Sequence, residues 1–290
     1  MISTKNLTVT YKRSGVVALR DVNIAIPGNT VTCILGPNAS GKTTLLKAIA
    51  QILDYNGVVE VTGKDAKSII KELRRTLSYS SILEERDLLG VTVFDVLLYS
   101  RYPVSRGFFT SEEDTSKTRE VAVKLGIEGL LSRKLSELSA GELQRVVLAA
   151  ALVKEPRILL LDEPDSHLDV YSKIWLSGFL REISSSVTVV LSTHDPLFAS
   201  LTCEYFVVLS RGRVVFTGSR RELLENTCVL GEVYGVPFTS TLLGDLHVLI
   251  PLHPRFAKTT QREEENRVVE KSPVIPPTHE KTTSSREDFT

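Results

Sequence analysis

A stretch of eight residues constrains this chain more than any other feature, because it fits the pattern G-x-x-x-x-G-K-[ST]. Its members are Gly36, Pro37, Asn38, Ala39, Ser40, Gly41, Lys42 and Thr43. The glycines allow backbone N–H groups to turn inward and approach phosphate oxygens closely. Lys42 would supply a positive charge to the β- and γ-phosphates of a nucleotide, and the Thr43 hydroxyl would be one ligand of Mg²⁺. The stretch therefore predicts a nucleotide-phosphate site.

The residues on either side of this phosphate loop support the same interpretation. Residues 31–35 read as a buried strand, and residues 43–50, which include Thr44, read as a helix. A bound phosphate would then lie at a helix N-terminus, where unpaired N–H donors and the helix dipole favour an anion. The alternative is a glycine-rich turn followed by a surface lysine, and the strand–loop–helix order argues against it. We predict that the loop binds ATP or GTP.

Amino-acid composition limits the class of protein, the partners and the compartment that can be expected. Hydrophobic residues make up 42% and charged residues 24% of the 290 residues, which is ordinary for a soluble globular protein. The 35 basic and 35 acidic side chains cancel, so no overall field favours nucleic acid or an anionic membrane. Cys33, Cys203 and Cys228 are odd in number and lack a C-x-x-C spacing. We therefore expect neither a disulfide framework nor a zinc site. We also expect the protein to lie in a reducing compartment.

Targeting and membrane-spanning signals are not found in the sequence. The N-terminus lacks the apolar core of a signal peptide. The longest apolar run, residues 146–153, is far shorter than the ~20 residues that span a bilayer. We expect a cytoplasmic protein whose membrane role, if it has one, is peripheral.

Strand and helix patterns predict an α/β fold. Alternation over 2–11 and 16–26 predicts half-buried antiparallel strands at the N-terminus, and apolar runs over 157–162 and 187–191 predict strands of a parallel sheet, buried on both faces. Residues 82–138 carry helical patterns, which predicts a helical subdomain inserted into the sheet domain. Further strands are expected over 57–61, 76–80, 205–210 and 213–217, and helices over 93–99, 112–125, 170–184 and 195–201.

Two domains of unequal character are expected. Residues 1–252 carry the strand and helix patterns and form the nucleotide-binding domain. In residues 253–290, charged residues, Thr, Ser and Pro dominate and few apolar residues are available for burial. Such a composition is typical of a disordered segment, so we predict a disordered C-terminal tail.

Two adjacent carboxylates, Asp162 and Glu163, end the apolar run of residues 158–161. Open α/β sheets place their ligands at the carboxyl ends of the strands. Asp162 is suited to hold Mg²⁺ opposite Thr43, and Glu163 is placed to orient or deprotonate a water that attacks the γ-phosphorus. The alternative, a strand that ends in two solvated acids, is disfavoured by the phosphate loop upstream.

A second candidate anion site precedes the long apolar helix that begins near residue 140. Ser139 and Glu142 have the spacing of a capping box, and Ala140 and Gly141 lie between them. Because a helix N-terminus offers more donors than one cap uses, capping and anion binding are compatible. At the end of the first strand, Tyr11 is suited either to stack on an adenine or simply to pack.

Taken together, these motifs resemble those of the ATP-binding-cassette (ABC) ATPases. The phosphate loop, the 158–163 strand and three further segments occur in the family's order over residues 2–240. Residues 138–145 resemble the LSGGQ segment, residues 166–169 resemble the D-loop, and His194 occupies the position of the switch histidine. The resemblance implies a P-loop NTPase core with a mostly parallel sheet, an N-terminal antiparallel β-subdomain and an inserted helical subdomain.

The resemblance also implies roles for individual residues. ATP and Mg²⁺ would be bound, Tyr11 would stack on the adenine, and His194 would contact the γ-phosphate and the attacking water. Ser139, Ala140, Gly141, Glu142 and Asp169 would act across a head-to-tail dimer in which two chains enclose each ATP.

One position departs from the family pattern. The family's Q-loop glutamine, which binds Mg²⁺ and links the site to the helical subdomain, aligns with Ser81. Glu84 or Glu85 could substitute for it through a longer loop. Mg²⁺ affinity and coupling are the properties that this departure affects.

A narrower resemblance connects residues 99–103, 107–109 and 233–237 to the ATPase subunits of importers for iron-siderophores, haem and cobalamin. It implies membrane permease subunits, a second copy of the chain in a homodimer, an extracytoplasmic solute-binding protein and no nucleic acid. The chain would then lie at the cytoplasmic face of the membrane. Leu88, Leu89 and Tyr102 are the candidate contacts to the permease.

Three alternatives remain open from the sequence. The chain could be a soluble cassette that acts in DNA repair or on ribosomes, but it has neither long coiled coils nor a second cassette. It could be an importer subunit for another solute. It could also be a cassette that has lost catalysis, which Lys42, Asp162, Glu163 and His194 argue against.

Overall fold

The computed structural model describes residues 1–81, 90–105, 111–243 and 246–253 of the chain. Residues Met1–Pro251 form one compact unit, and a second unit begins at Leu252. The predicted tail lies almost entirely outside the described residues, as do Glu84, Glu85, Leu88, Leu89 and residues 107–109. The domain boundary at residue 252 stays a prediction.

The N-terminal sheet is antiparallel, as the alternation of residues predicted. Its strands are β1 (Ile2–Thr10), β2 (Val17–Ile26), β4 (Asn56–Val61) and β5 (Lys64–Asp65), in the order β2-β1-β4-β5. Leu7, Val9 and Val22 are buried while their neighbours along the strands are exposed, because successive side chains of a strand point to opposite faces.

The central sheet has six strands and is parallel except at one edge. It contains β3 (Val31–Leu35), β6 (Leu77–Ser81), β7 (Ile158–Asp162), β8 (Thr188–Thr193), β9 (Tyr205–Ser210) and β10 (Arg213–Ser219). Its order is β10-β9-β3-β8-β7-β6, and β10 pairs antiparallel with β9. β3, β7 and β8 are buried along their whole lengths. Because these strands are parallel, their carboxyl ends lie along the same edge of the sheet, perpendicular to the strand direction.

Helices and one further strand pair complete the described fold. The helices are α1 (Lys42–Ile49), α2 (Ile70–Thr76), α3 (Val93–Ser100), α4 (Glu112–Lys124), α5 (Ala140–Leu152), α6 (Val170–Ile183), α7 (Pro196–Thr202), α8 (Arg220–Glu225) and α9 (Cys228–Tyr234). β11 (Phe238–Leu243) and β12 (Leu246–Pro251) form an antiparallel pair. The sequence patterns did not predict α2, α8, α9, β5, β11 or β12, because these elements are too short to show a clear period.

Two hydrophobic cores lie on the two faces of the central sheet. Val31, Cys33 and Leu35 of β3 belong to a core that includes residues of α3, α5, α6 and α7. Ile34 of the same strand belongs to a second core, which includes residues of α1 and of the N-terminal sheet. One strand thus contributes to both cores, which explains why its sequence is continuously apolar.

A buried ion pair connects the helices of the inserted region. Arg101 Nε donates to Asp114 Oδ1 at 2.7 Å, and Arg101 Nη1 donates to the Val153 carbonyl at 2.7 Å. The hydroxyl of Ser105 also donates to the carboxylate of Asp114. These contacts, first of all the Arg101 hydrogen bond, hold the pKa of Asp114 far below its ordinary value. The stabilisation is therefore present at neutral pH and is lost only in strong acid.

The expectation that no disulfide is present is wrong for two of the three cysteines. Cys33 lies in the middle of β3 and Cys203 directly follows α7, and the structure joins them in a disulfide. They are 170 residues apart in the sequence, yet their Cα atoms are 5.8 Å apart because β9 pairs alongside β3. Sequence spacing cannot reveal such a pair. Cys228 is exposed and unpaired.

Within the described ranges, no helix combines the length and the apolar character that crossing a bilayer requires.

The disulfide leads to a direct prediction. Alkylation of the denatured, unreduced protein should modify Cys228 alone, and alkylation after reduction should modify all three cysteines. Cys203→Ala should lower the stability by about 2–4 kcal/mol, because the bond restricts the unfolded chain. Cys228→Ala is the control and should melt like the wild type. Mass spectrometry that finds three modified cysteines without reduction would contradict the bond.

Candidate functional site

The phosphate loop joins the carboxyl end of β3 to the first turn of α1, as the sequence predicted. Two glycines are required by the geometry. A Cβ on Gly36 would collide with the carbonyl oxygen of Leu209, and Gly41 has a φ of +108° with Leu19 Cδ2 2.8 Å from where a Cβ would lie. The hydroxyl oxygen of Ser40 is buried and has no hydrogen-bond partner within the described residues. An unpartnered polar atom in the loop fits a site that receives a polar ligand.

Lys42 is buried inside this loop, with 4% of its surface exposed. Its Nζ donates to the carbonyl oxygens of Gly36 at 2.9 Å and Pro37 at 3.1 Å. The same nitrogen lies 3.3 Å from Glu163 Oε1. The loop and β7 thus place a positive charge against a carboxylate at the edge of the sheet.

Asp162 ends β7 and accepts three side-chain hydrogen bonds. Thr43 Oγ1 donates to its Oδ1 at 3.0 Å, Ser192 Oγ donates to the same oxygen at 2.6 Å, and Tyr79 Oη donates to Oδ2 at 3.2 Å. A carboxylate and a hydroxyl side by side are oxygen donors of the kind that Mg²⁺ takes together with substrate phosphates. The residues present therefore fit the predicted metal site.

Glu163 adopts a left-handed backbone conformation with φ +48° immediately after the strand. Its N–H donates to Ser192 Oγ at 2.9 Å, which turns its side chain away from Asp162. Glu163 Oε2 accepts from Ser166 Oγ at 3.3 Å and lies 3.6 Å from His194 Nδ1. Lys42, Glu163 and His194 are thus brought together from β7, β8 and the phosphate loop.

A cavity of about 660 Å³ lies beside the loop. It is lined by Tyr11, by Glu163 and by most of the predicted loop residues, from Asn38 to Thr44. Tyr11 is 39% exposed, and its hydroxyl lies 3.0 Å from Thr44 Oγ1. Its aromatic ring is therefore available at the cavity, as adenine stacking requires.

Arg211 also lines this cavity, and the sequence analysis did not identify it as a site residue. Arg211 and Gly212 lie between the two strands predicted over 205–210 and 213–217. In the structure the Gly212 N–H donates to the Ser40 carbonyl at 2.9 Å, which fixes the turn against the phosphate loop. No local pattern could have indicated this, because Gly212 and Ser40 are far apart in the sequence.

The second predicted anion segment is a well-formed helix cap. Ser139 Oγ accepts from the Glu142 N–H at 3.3 Å, and Glu142 Oε2 accepts from the Ser139 N–H at 2.8 Å. A Cβ on Gly141 would lie 2.9 Å from Ser172 Oγ, so α5 and α6 approach closely there. Asp169 caps α6 by accepting from the Ser172 N–H at 2.7 Å.

The residues of the second predicted anion segment, and Asp169, do not line the phosphate-loop cavity of their own chain. Among the described residues that line it, none of Ser139, Ala140, Gly141, Glu142 or Asp169 is found. Ser81 is paired with Asp162 in the β6–β7 register, so its backbone lies beside the predicted metal carboxylate.

Comparison with known proteins identifies relatives over most of the chain. A family model described as "ABC transporter" matches residues 19–166. An ABC transporter ATP-binding protein of Methanocaldococcus jannaschii is 33% identical over 240 residues, which cover 81% of each chain. The petrobactin import ATP-binding protein YclP of Bacillus subtilis is 29% identical, over 81% of this chain and 92% of the relative. A phosphonates import ATP-binding protein of Haloarcula marismortui is 31% identical, over 77% and 86%.

A solved structure shares the architecture. The dimeric structure of a bacterial ABC transporter cassette is 28% identical, with a TM-score of 0.67, and the match covers 76% of this chain and 99% of that one.

The position of Lys42 predicts a large loss of nucleotide binding on substitution. Lys42→Ala should weaken ATP binding by roughly one to two orders of magnitude, because a charged donor to the phosphates is removed. Lys47→Ala, on the same helix but outside the cavity lining, is the control and should bind as the wild type does. Titration with a fluorescent ATP analogue measures both. Equal affinities in the two variants would exclude residues 36–44 as the phosphate site.

Proposed function

The chain belongs to the ABC transporter family and is an ATPase, and from this premise we propose that it powers an importer through separate membrane subunits. The observation that carries the proposal is the convergence of Lys42, Asp162, Glu163 and His194 at one edge of the sheet. These are the charged and polar groups that positioning and cleavage of a γ-phosphate require. Residues 1–252 would form the nucleotide-binding domain, with 82–138 as its inserted helical part.

Each residue of the site would have a separate part in ATP binding and hydrolysis. Tyr11 would contact the adenine while the loop N–H groups and Lys42 hold the phosphates. Thr43 and Asp162 would hold Mg²⁺, which supplies charge neutralisation between the β- and γ-phosphates. Glu163 would accept the proton of the attacking water, and His194, 3.6 Å from it, would orient the water against the γ-phosphate.

A second copy of the chain would complete each site. Ser139 to Glu142 and Asp169 lie outside the cavity lining of their own chain, although α5 offers a helix N-terminus suited to a phosphate. A head-to-tail homodimer supplies these groups from the partner. The dimeric cassette among the solved relatives is consistent with this arrangement.

The permease subunits would dock in a groove of about 550 Å³ beside β6. Ile52, Arg74, Tyr102 and Lys154 are among its lining residues, and Tyr102 is 70% exposed. An exposed aromatic group beside basic residues suits a partner's short helix. The chain would thereby lie on the cytoplasmic face of the membrane, in a system that includes an extracytoplasmic solute-binding protein.

The solute that we favour is a metal chelate of the iron-siderophore, haem or cobalamin type. Residues 99–103 and 233–237 resemble such importers, and one relative is named for petrobactin import. Another solute is the competing proposal, because a relative named for phosphonate import is similarly close. Uptake assays with the chain and its genomic neighbours would separate the two: transport of a ferric chelate supports the first, and transport of phosphonate alone supports the second.

Replacement of the proposed general base should trap the nucleotide-bound dimer. Glu163→Gln keeps the size and hydrogen bonding of the side chain but cannot accept a proton, so ATP should bind without being cleaved. The variant should elute as a dimer with ATP and Mg²⁺ and as a monomer with ADP, measured by gel filtration with light scattering.

Glu60→Gln provides a matched control for this experiment. Glu60 has 30% of its side chain exposed against 29% for Glu163, and it also lies beside a lysine. This variant should hydrolyse ATP normally and should not accumulate as a dimer. Hydrolysis by Glu163→Gln at the wild-type rate would exclude Glu163 as the base.

Docking in the groove predicts separable effects on assembly and hydrolysis. Tyr102→Ser should leave the ATPase rate of the isolated chain unchanged but should abolish co-purification with the permease subunits. Val123→Ser, an exposed position on α4 outside the groove lining, is the control and should retain the complex. Normal assembly and uptake with Tyr102→Ser would show that the docking site lies elsewhere.

A further inference from the structure

One side chain from the C-terminal part of the compact unit, Tyr234, contacts the loop that carries His194. Tyr234 ends α9, far beyond the residues that the family model matches. Its hydroxyl donates to the carbonyl oxygen of His194 at 3.4 Å, a long hydrogen bond. The backbone of Gly36, the first residue of the phosphate loop, lies near enough to this hydroxyl to lower its pKa. The Tyr234 hydroxyl therefore bridges α9 and the histidine loop, at a point close to the phosphate loop.

The surroundings of Tyr234 keep this hydroxyl protonated. Burial, and then the nearby carboxylates of Asp195 and Asp165, raise its pKa above the ordinary tyrosine value, against the opposing effect of the nearby Gly36 backbone. The phenol therefore remains a donor at every physiological pH. Its ring is fixed by Phe238, the first residue of β11, at a centroid distance of 5.6 Å. The ring thus packs on the C-terminal segment while its hydroxyl bonds to the histidine loop.

The residues on either side of His194 are held by contacts with residues outside the C-terminal segment. Thr193 Oγ1 donates to the buried carboxylate of Asp165 at 2.9 Å and accepts from the Asp195 N–H at 3.0 Å. The Asp195 carboxylate pairs with Lys173 Nζ at 2.8 Å. The His194 ring itself is half exposed and lies near Glu163 at 3.6 Å. Small displacements of the His194 peptide would therefore move the ring relative to Glu163.

We propose that Tyr234 is a positioning residue that couples α9 to His194. The inference rests on the proposed function, in which His194 acts on the γ-phosphate. By bridging α9 and the His194 carbonyl, the hydroxyl sets the position of the His194 peptide and of its ring beside the phosphate loop. Any partner that moves α9 or β11 then alters the alignment of His194 with Glu163 and with the attacking water. Catalytic alignment is sensitive to displacements of this size.

Tyr234→Phe tests the bridge, because it keeps the ring and its contact with Phe238 and removes only the hydroxyl. The kcat for ATP should fall roughly tenfold, the equivalent of one lost hydrogen bond, while KM for ATP changes less than about twofold. Tyr55→Phe is the matched control. Tyr55 is another tyrosine whose pKa burial raises, and its hydroxyl donates to Gln51 Oε1 at 2.9 Å, away from the cavity. This variant should retain the wild-type kcat.

A second measurement does not depend on hydrolysis. The imidazole signals of the five histidines are followed by NMR, with His194 assigned from a His194→Ala sample. Tyr234→Phe should shift the His194 signal in the absence of nucleotide, and Tyr55→Phe should leave it in place. An unshifted His194 signal, or a kcat within twofold of the control, would overturn the proposal. If the wild-type chain fails to hydrolyse ATP, the proposed function fails, and the NMR comparison still decides whether Tyr234 positions His194.

Discussion

The buried ammonium group of Lys42 is the charge around which the site is arranged. Burial of an unpaired cation is costly, by several kcal/mol even after relaxation, so its neighbours must supply compensation. Two carbonyl oxygens of the phosphate loop and the carboxylate of Glu163 do so. This arrangement requires β3 and β7 to end at the same edge, and β8 lies between them in the sheet order. The parallel topology and the left-handed backbone at Glu163 together place that carboxylate within reach of the lysine.

The elements that the sequence predicted well are those whose physical signal is local. β3, the phosphate loop and α1 are specified by a continuous apolar run, two glycines and a lysine at fixed spacing, and the structure places them as expected. The α9 helix and the β11–β12 pair were missed because they are short and acquire their stability from packing. The disulfide between Cys33 and Cys203 and the contact of Gly212 with Ser40 depend on strands that are distant in sequence. Such contacts follow from the topology of the fold, which cannot be read from a short stretch of sequence.

The departure at Ser81 has a physical setting in the structure. The backbone of Ser81 lies beside Asp162, and two residues earlier on the same strand Tyr79 donates a hydrogen bond to the Asp162 carboxylate. β6 therefore contacts the predicted metal ligand Asp162 through the hydroxyl of Tyr79, in addition to the backbone pairing of Ser81. Because Tyr79 also lines the proposed docking groove, the same side chain contacts both regions. If both proposals hold, Tyr79 would supply part of the link between the metal site and the groove that a glutamine would otherwise provide.

The contact between Lys42 and Glu163 also bears on the order of events at the site. The ammonium has three protons, and in the described structure it faces two loop carbonyls and one carboxylate oxygen. A phosphate that enters the loop competes for the same protons and carries more negative charge than a carboxylate. Lys42 would therefore be drawn from Glu163 toward the phosphate on binding. Glu163 would then retain Ser166 and His194 as its polar neighbours, and its carboxylate would be free to accept a water. If Glu163 is the base that we propose, nucleotide binding and preparation of the base would be one electrostatic rearrangement, because the same buried lysine takes part in both.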